Sequence, residues 1–190
     1  MNKIYTLKIT MKYLPKLYRI VEMTETSSVA KIAYTVLSSF NTAMYHLYDI
    51  KYKGGTYSCA IGEYDIGEKS ENATLTKICD LKLKVGDKLQ MTYDFGCDQE
   101  FEIEVLKVSK KSNCIKSDYP QIIEGFGKGI VEDIHVSELE EIVNKKETVT
   151  CLNIEGYEEY EFENYDIDED NLFLAERLYK AITAYEELDN

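Results

Sequence analysis

Residues 81–108 alternate between apolar and polar side chains on two consecutive segments, which is the clearest pattern in the chain. The apolar positions of the two segments are Leu89, Met91, Tyr93 and Phe95, followed by Phe101, Ile103 and Val105. A period of two is typical of a strand that buries one face. The segment therefore predicts a β-hairpin, and the change of pattern after Val105 predicts a β-bulge.

Two further hairpins are predicted nearer the N-terminus. Residues 6–12 alternate in the same way, and residues 17–23 follow them after a turn at Pro15. Residues 45–53 and 56–61 form the second pair, joined by the glycines at 54 and 55. Two consecutive glycines between apolar segments favour a tight hairpin turn. We expect these three hairpins to form one antiparallel sheet.

Helical spacing of apolar residues occurs in two long segments. Residues 28–40 carry apolar side chains at every third or fourth position, after possible N-cap residues at 26–28. Residues 170–188 form the second segment, which opens after the capping pattern of Asp166 and Glu169. Its apolar stripe consists of Leu174, Leu178, Ala181, Tyr185 and Leu188. Such a stripe needs a surface to cover it, so we expect the last helix to dock.

The element pattern predicts an α+β fold, with a mostly antiparallel sheet of hairpins packed against helices in a two-layer, roll-like arrangement. Shorter helical patterns cover residues 74–80 and 137–144, while residues 63–72 and the glycine-rich stretch after residue 118 are predicted to be loops. The length of 190 residues fits a single domain over 1–190. Its last part, 155–190, is an acidic segment that ends in the docked helix.

Charge is distributed unevenly along the chain. The formal net charge is −13, and residues 121–190 contain five Lys and Arg against twenty Asp and Glu. We expect the acidic run 155–170 to be mostly solvated surface that lies near the basic N-terminal strands. No apolar run reaches the ~18 residues of a membrane span, and no secretory segment is apparent. The five cysteines lack close pairing, so we expect reduced thiols and a cytoplasmic location.

Candidate chemistry is sparse. Carboxylates at Asp94, Asp98 and Glu100 cluster around the hairpin turn, and oxygen ligands of this kind suit divalent cations. The same residues also serve as ordinary turn residues, since Asp commonly caps its own backbone. His46 and His135 are the two histidines, and neither has the closely spaced second ligand of a typical zinc site. From this we expect both histidines to have ordinary structural roles, and we expect no cofactor.

The N-terminal third carries a candidate basic surface. Its members are Lys8, Lys12, Arg19, Lys51 and Lys53. Cations interleaved with aromatic residues can bind nucleic acid through phosphates and bases. The alternative is that the acidic C-terminal third neutralises these cations. We prefer this alternative and expect no nucleic-acid binding by the intact chain.

Local motifs along nearly the whole chain resemble the plasmid pRiA Orf-three-like family. The motifs are Leu17-Tyr18-Arg19, His46-Leu47-Tyr48, Val85-Gly86-Asp87-Lys88, Thr92-Tyr93-Asp94-Phe95-Gly96, and Gly125-x-Gly127-x-Gly129-Ile130-Val131-Glu132-Asp133. The resemblance implies an α+β fold without an established activity. The candidate ligand or turn site of this chain consists of Tyr93, Asp94, Asp98, Glu100 and His46.

This chain departs from the family pattern at several histidine and cysteine positions. Tyr48 stands where members often have a second histidine, and Gly129 and Ile134 lie near positions that carry cysteines in many members. If those residues bind a metal in relatives, this chain has lost most of the set, so we expect no bound transition metal. The sequence therefore favours a non-enzymatic module that binds a protein partner, which the 16 tyrosines would suit. The alternatives are a divalent-cation-dependent phosphoester enzyme or a DNA-linked accessory protein.

Overall fold

The computed structural model describes residues 2–59, 70–111 and 119–186. Its strands are β1 (Asn2–Met11), β2 (Tyr18–Thr24), β3 (Tyr48–Tyr52), β4 (Gly55–Ser58), β5 (Glu71–Asn72), β6 (Lys88–Tyr93), β7 (Gln99–Lys111), β8 (Gln121–Phe126), β9 (Val149–Asn153) and β10 (Gly156–Tyr160). Its helices are α1 (Val29–Ser39), α2 (Val136–Lys145) and α3 (Ile167–Glu186), with a 3-10 turn at Ile78–Leu81.

Strands β1 to β8 form one sheet in the order β5-β4-β3-β6-β7-β1-β2-β8. All pairs are antiparallel except β4 with β5, and β9 pairs with β10 in a separate two-stranded sheet. The predicted α+β class is confirmed, with helices packed on one face of a largely antiparallel sheet. Two loop predictions are wrong in part, because β8 forms within the glycine-rich stretch and β5 forms at the end of the predicted loop 63–72.

The central hairpin folds as its alternation predicts. Leu89 pairs with Ile103 and Met91 with Phe101, and all four side chains are buried. The register between β1 and β7 shifts so that Leu106 becomes an extra residue, which confirms the bulge beside Val105. The predicted inward position of Phe95 is wrong, since its side chain is 45% exposed in the turn.

Helix α1 occupies the centre of the helical layer. The Ser28 side chain accepts a hydrogen bond from the Lys31 backbone N–H and caps its first turn, as the sequence predicts. Almost every residue of α1 is buried, because the sheet lies on one side and α3 packs on the other. In α3 the stripe residues Leu174, Leu178 and Ala181 are buried. Leu188 lies outside the described residues.

Helix α3 also covers the edge of the large sheet. The Asn171 side chain accepts a hydrogen bond from the Ile122 N–H at 2.9 Å and donates one to the Ile122 carbonyl at 2.8 Å. This amide therefore takes the place of a neighbouring strand on β8. Satisfying an edge strand in this way prevents pairing with other chains. No helix in the described part of the chain has the length and hydrophobicity of a membrane span.

Arg19 is buried beneath β8, which contradicts its predicted place on a basic surface. Its side chain is 0% exposed, and its guanidinium donates to the carbonyls of Tyr18, Phe126 and Gly127. The Tyr165 ring lies 3.8 Å from the guanidinium carbon, and the Asp170 carboxylate lies 3.6 Å from Nε. Arg19 therefore acts as a structural cation that joins β2, β8 and α3.

Candidate metal centre

Three separate segments meet at one end of the sheet and bring ionisable side chains together. His46 lies in the loop between α1 and β3, Asp94 follows β6, and Glu132 and Asp133 lie in the loop before α2. The His46 Nε2 atom is 3.1 Å from Asp133 Oδ1, 3.5 Å from Asp94 Oδ2 and 3.8 Å from Glu132 Oε2. One imidazole nitrogen thus faces three carboxylates.

Glycine determines how closely the loop of the two acidic residues approaches α1. Gly129 has a φ of +133°, and a Cβ at this position would lie 2.3 Å from the Phe40 carbonyl oxygen. The next residue, Ile130, donates its N–H to the same oxygen at 2.9 Å. A larger residue at 129 would push the loop away from the end of α1. The glycine therefore fixes where Glu132 and Asp133 lie relative to His46.

Asp94 and Asp133 are each held by one carboxylate oxygen and present the other to His46. Asp94 Oδ1 accepts the Gly96 backbone N–H at 3.1 Å, and its Oδ2 faces the imidazole. Asp133 Oδ2 accepts a short hydrogen bond from the Tyr45 hydroxyl, and its Oδ1 faces the imidazole. Outer hydrogen bonds of this kind orient the ligands of metal sites.

Glu132 is also held by one carboxylate oxygen and presents the other to His46, and it lies on the buried side of the cluster. Its Oε1 accepts the Ala43 N–H at 2.5 Å and lies 3.2 Å from the Tyr93 hydroxyl. Its side chain is 1% exposed, and its Oε2 faces His46. Burial raises the pKa of Glu132 above its ordinary value, and the charge of Asp133 raises it further, against the hydrogen bonds from Ala43 and Tyr93.

The cluster imposes a negative potential on its neighbours. The pKa of the Cys97 thiol is raised to about 11 by burial, by a hydrogen bond with Asp94, and by the charges of Asp94, Asp133 and Glu132. The pKa of Tyr45 is also raised, by burial first and then by Asp133. A reactive thiolate needs the opposite environment. The site therefore disfavours nucleophilic chemistry at Cys97 and attracts cations.

The spacing of the ligand atoms fits a small metal ion. One ligand atom each from His46, Asp94 and Asp133 lies within 4.8 Å of the other two. Around an ion with bonds of about 2.1 Å, neighbouring ligand atoms lie about 3.0–3.4 Å apart. The 3.1 and 3.5 Å distances from His46 to the two aspartates are close to that range. The Asp133 side chain is 63% exposed, so an ion here would face solvent on one side.

The structure brings together part of the site predicted from sequence. His46, Tyr93 and Asp94 meet in the cluster, whereas Asp98 and Glu100 lie outside it. Asp98 is 3.4 Å from His135 Nε2, and Glu100 is 2.6 Å from Lys12 Nζ. Sequence reasoning missed three residues as members of the site: Tyr45, Glu132 and Asp133. The sequence feature that could have identified Glu132 and Asp133 was their position at the end of the glycine-rich family motif.

The remaining lysines of the predicted basic surface lie beside carboxylates or aromatic rings of the sheet itself. The ion pairs are Lys12 with Glu100 at 2.6 Å, Lys51 with Asp49 at 3.6 Å and Lys53 with Asp87 at 3.4 Å. Lys8 lies 5.3 Å above the Tyr18 ring. Within the acidic run, Glu158 contacts Lys128 and Glu163 contacts Lys146. The charges of Lys12, Lys51 and Lys53 are therefore offset by nearby strands and turns, without the acidic run.

Comparison with known proteins adds a family and a fold. A model of the family described as "Plasmid pRiA4b ORF-3-like protein" matches residues 3–171, which confirms the resemblance drawn from the motifs. The chain is also similar to a crystal structure of a protein of unknown function, MM3350 from Methanosarcina mazei Go1. The two share 21% sequence identity with a TM-score of 0.65, covering 76% of this chain and 82% of the other. No curated protein matches the chain.

Proposed function

The chain belongs to the plasmid pRiA4b ORF-3-like family, and we propose that it is a non-enzymatic binding module that holds one divalent metal ion through His46, Asp94 and Asp133. One observation carries the proposal. Each aspartate is anchored by its outer oxygen, while its inner oxygen lies 3.1 or 3.5 Å from the same imidazole nitrogen. Such orientation of ligands by outer hydrogen bonds is characteristic of metal sites.

The donor set favours a transition-metal ion. An imidazole nitrogen with carboxylate oxygens suits Zn²⁺, Mn²⁺ and related ions, whereas Ca²⁺ and Mg²⁺ prefer oxygen alone. Glu132 is placed to supply a fourth ligand or to bind a metal-bound water. Our sequence-based expectation of no metal rested on the substitution of the family's candidate ligand positions, and neither histidine has a closely spaced second ligand. The fold supplies ligands instead from residues 87 positions apart in the chain.

The surroundings of the site favour partner binding over phosphoester chemistry. The phosphoester hypothesis required Asp98 and Glu100 to converge with Asp94, and each is paired elsewhere. Beside the ligands in the chain, Leu47 and Phe95 are 39% and 45% exposed. Exposed apolar and aromatic side chains are typical of protein interfaces. We therefore assign the open side of the ion to a protein partner that supplies a further ligand.

The two histidines of the chain provide a matched test. His46 lies in the cluster, whereas His135 contacts the single aspartate Asp98 at 3.4 Å and caps α2. Protein prepared without chelator is equilibrated with micromolar Zn²⁺ or Mn²⁺, dialysed, and assayed by elemental analysis. We expect about one ion per chain in the wild type and in His135→Asn, and none in His46→Asn.

Two results would overturn the proposal. The first is a wild-type protein that retains no ion at micromolar free metal. The second is equal retention by His46→Asn and the wild type, because the ion would then bind elsewhere. Circular dichroism of each variant identifies loss of fold as a separate cause.

A further inference from the structure

The C-terminal helix reaches the candidate metal centre from beyond the part of the chain that the family model matches. That match ends at residue 171, whereas α3 continues to Glu186. Resting on the function proposed above, we propose that Tyr185 in the last turn of α3 is a positioning residue for His46. The part of α3 after residue 171 would then belong to the site without being included in the family model.

The Tyr185 hydroxyl makes a direct hydrogen bond to the ligand residue. It donates to the His46 backbone carbonyl at 2.7 Å, across 139 positions of sequence. The hydroxyl therefore acts on the residue whose imidazole faces the carboxylates. This distance is typical of a well-formed O–H···O hydrogen bond. It fixes the backbone from which the imidazole extends.

Aromatic packing holds the Tyr185 ring in place. The ring stacks on Tyr34 of α1, with centroids 5.8 Å apart and planes at 10°. It also meets the edge of Tyr48 of β3 at 5.2 Å and 80°. These contacts come from the two elements that flank the His46 loop. Because the ring is held on both sides, its hydroxyl can restrain the loop rather than follow it.

Residues 43–47 also have hydrogen bonds to residues of the metal centre. The Ala43 N–H binds the Glu132 carboxylate, and the Leu47 carbonyl accepts the Asp94 N–H at 3.2 Å. Met44, between them, has a φ of +60°, which is uncommon for a residue with a side chain. Tyr185 thus adds a restraint that does not depend on the charges of the carboxylates. We expect it to preorganise His46 before an ion binds.

The test compares Tyr185→Phe with Tyr179→Phe, a change on the same helix where the ring is 66% exposed. Zinc affinity is measured by competition with a chromophoric chelator. Losing one hydrogen bond should weaken zinc binding by about fivefold in Tyr185→Phe, while Tyr179→Phe matches the wild type. The Phe ring keeps the aromatic packing, so the fold should be retained.

A second measurement needs no metal. The His46 carbonyl shares its peptide group with the Leu47 amide, so Tyr185→Phe should shift the Leu47 ¹⁵N resonance and speed amide exchange in residues 43–47. Unchanged exchange together with unchanged zinc affinity would overturn the role of Tyr185. If the wild type has no zinc affinity but Tyr185→Phe still speeds exchange in residues 43–47, the proposed metal function is refuted and the positioning role is kept.

Discussion

Replacing Asp133 with Asn should stabilise the metal-free protein and weaken its metal complex. One carboxylate oxygen of Asp133 and one of Asp94 lie within 4.8 Å of each other. Their repulsion at that distance is about 0.9 kcal/mol in water and about 3.5 kcal/mol at an effective dielectric constant of 20. Because the Asp133 side chain is 63% exposed, the lower figure applies. We therefore expect a gain of about 1 kcal/mol in unfolding free energy without metal.

Asp98→Asn is a closely matched control. The Asp98 side chain is 62% exposed and lies 3.4 Å from a histidine, against 63% and 3.1 Å for Asp133. Both residues have positive φ, +53° and +60°, a conformation that Asn also adopts. The difference is the neighbourhood, since Asp133 faces other carboxylates and Asp98 lies outside the cluster. We expect Asp98→Asn to leave stability within about 0.5 kcal/mol of the wild type.

The assay is urea unfolding followed by circular dichroism at about pH 8. With EDTA present, Asp133→Asn should unfold at higher urea than the wild type. With excess Zn²⁺ the order should reverse, because an ion that binds the native state stabilises it according to its affinity. The reasoning is refuted if Asp133→Asn behaves like Asp98→Asn in EDTA, or if zinc stabilises both variants equally.

Three other predictions follow from the fold. Arg19→Met should lower the unfolding free energy by about 3–5 kcal/mol in urea, since buried carbonyls and Asp170 lose their cation; a loss below about 1 kcal/mol would contradict this role. Asn171→Ala should lower the unfolding free energy by about 1–3 kcal/mol and speed hydrogen exchange of the Ile122 amide. An Ile122 amide that exchanges as slowly as in the wild type would argue against edge capping. The intact chain should not shift DNA or RNA in gels at ~150 mM salt, and tight binding would favour the DNA-linked alternative.

Local alternation was sufficient to predict the hairpins and α1, because their burial follows directly from sequence period. It did not predict β8, where Gly125 and Gly127 indicate a loop and pairing with β2 comes from tertiary structure. Arg19 shows how a general rule misled the prediction. It lies at the same two-residue spacing as the buried residues Leu17, just before β2, and Val21 within it, but charged side chains are usually solvated.

The candidate site was predictable only in part for a physical reason. His46 and Asp94 belong to recognisable motifs, but neither has a ligand partner at short spacing. Their neighbours Glu132 and Asp133 come from a third loop, whose position depends on the contact of Gly129 with α1. Long-range convergence of this kind leaves no periodic signal in a single sequence. The role proposed for Tyr185 could not be predicted from the sequence for the same reason. The apolar stripe of its helix predicts that the helix docks, but it does not predict which group accepts the hydrogen bond of the Tyr185 hydroxyl.

Anomalous diffraction at the zinc edge, from crystals grown with Zn²⁺, tests the central claim most directly. The account predicts one strong peak about 2.1 Å from His46 Nε2, Asp94 Oδ2 and Asp133 Oδ1, and no such peak in His46→Asn crystals. A map without a peak among these atoms, at a zinc concentration that saturates the protein in solution, would contradict it.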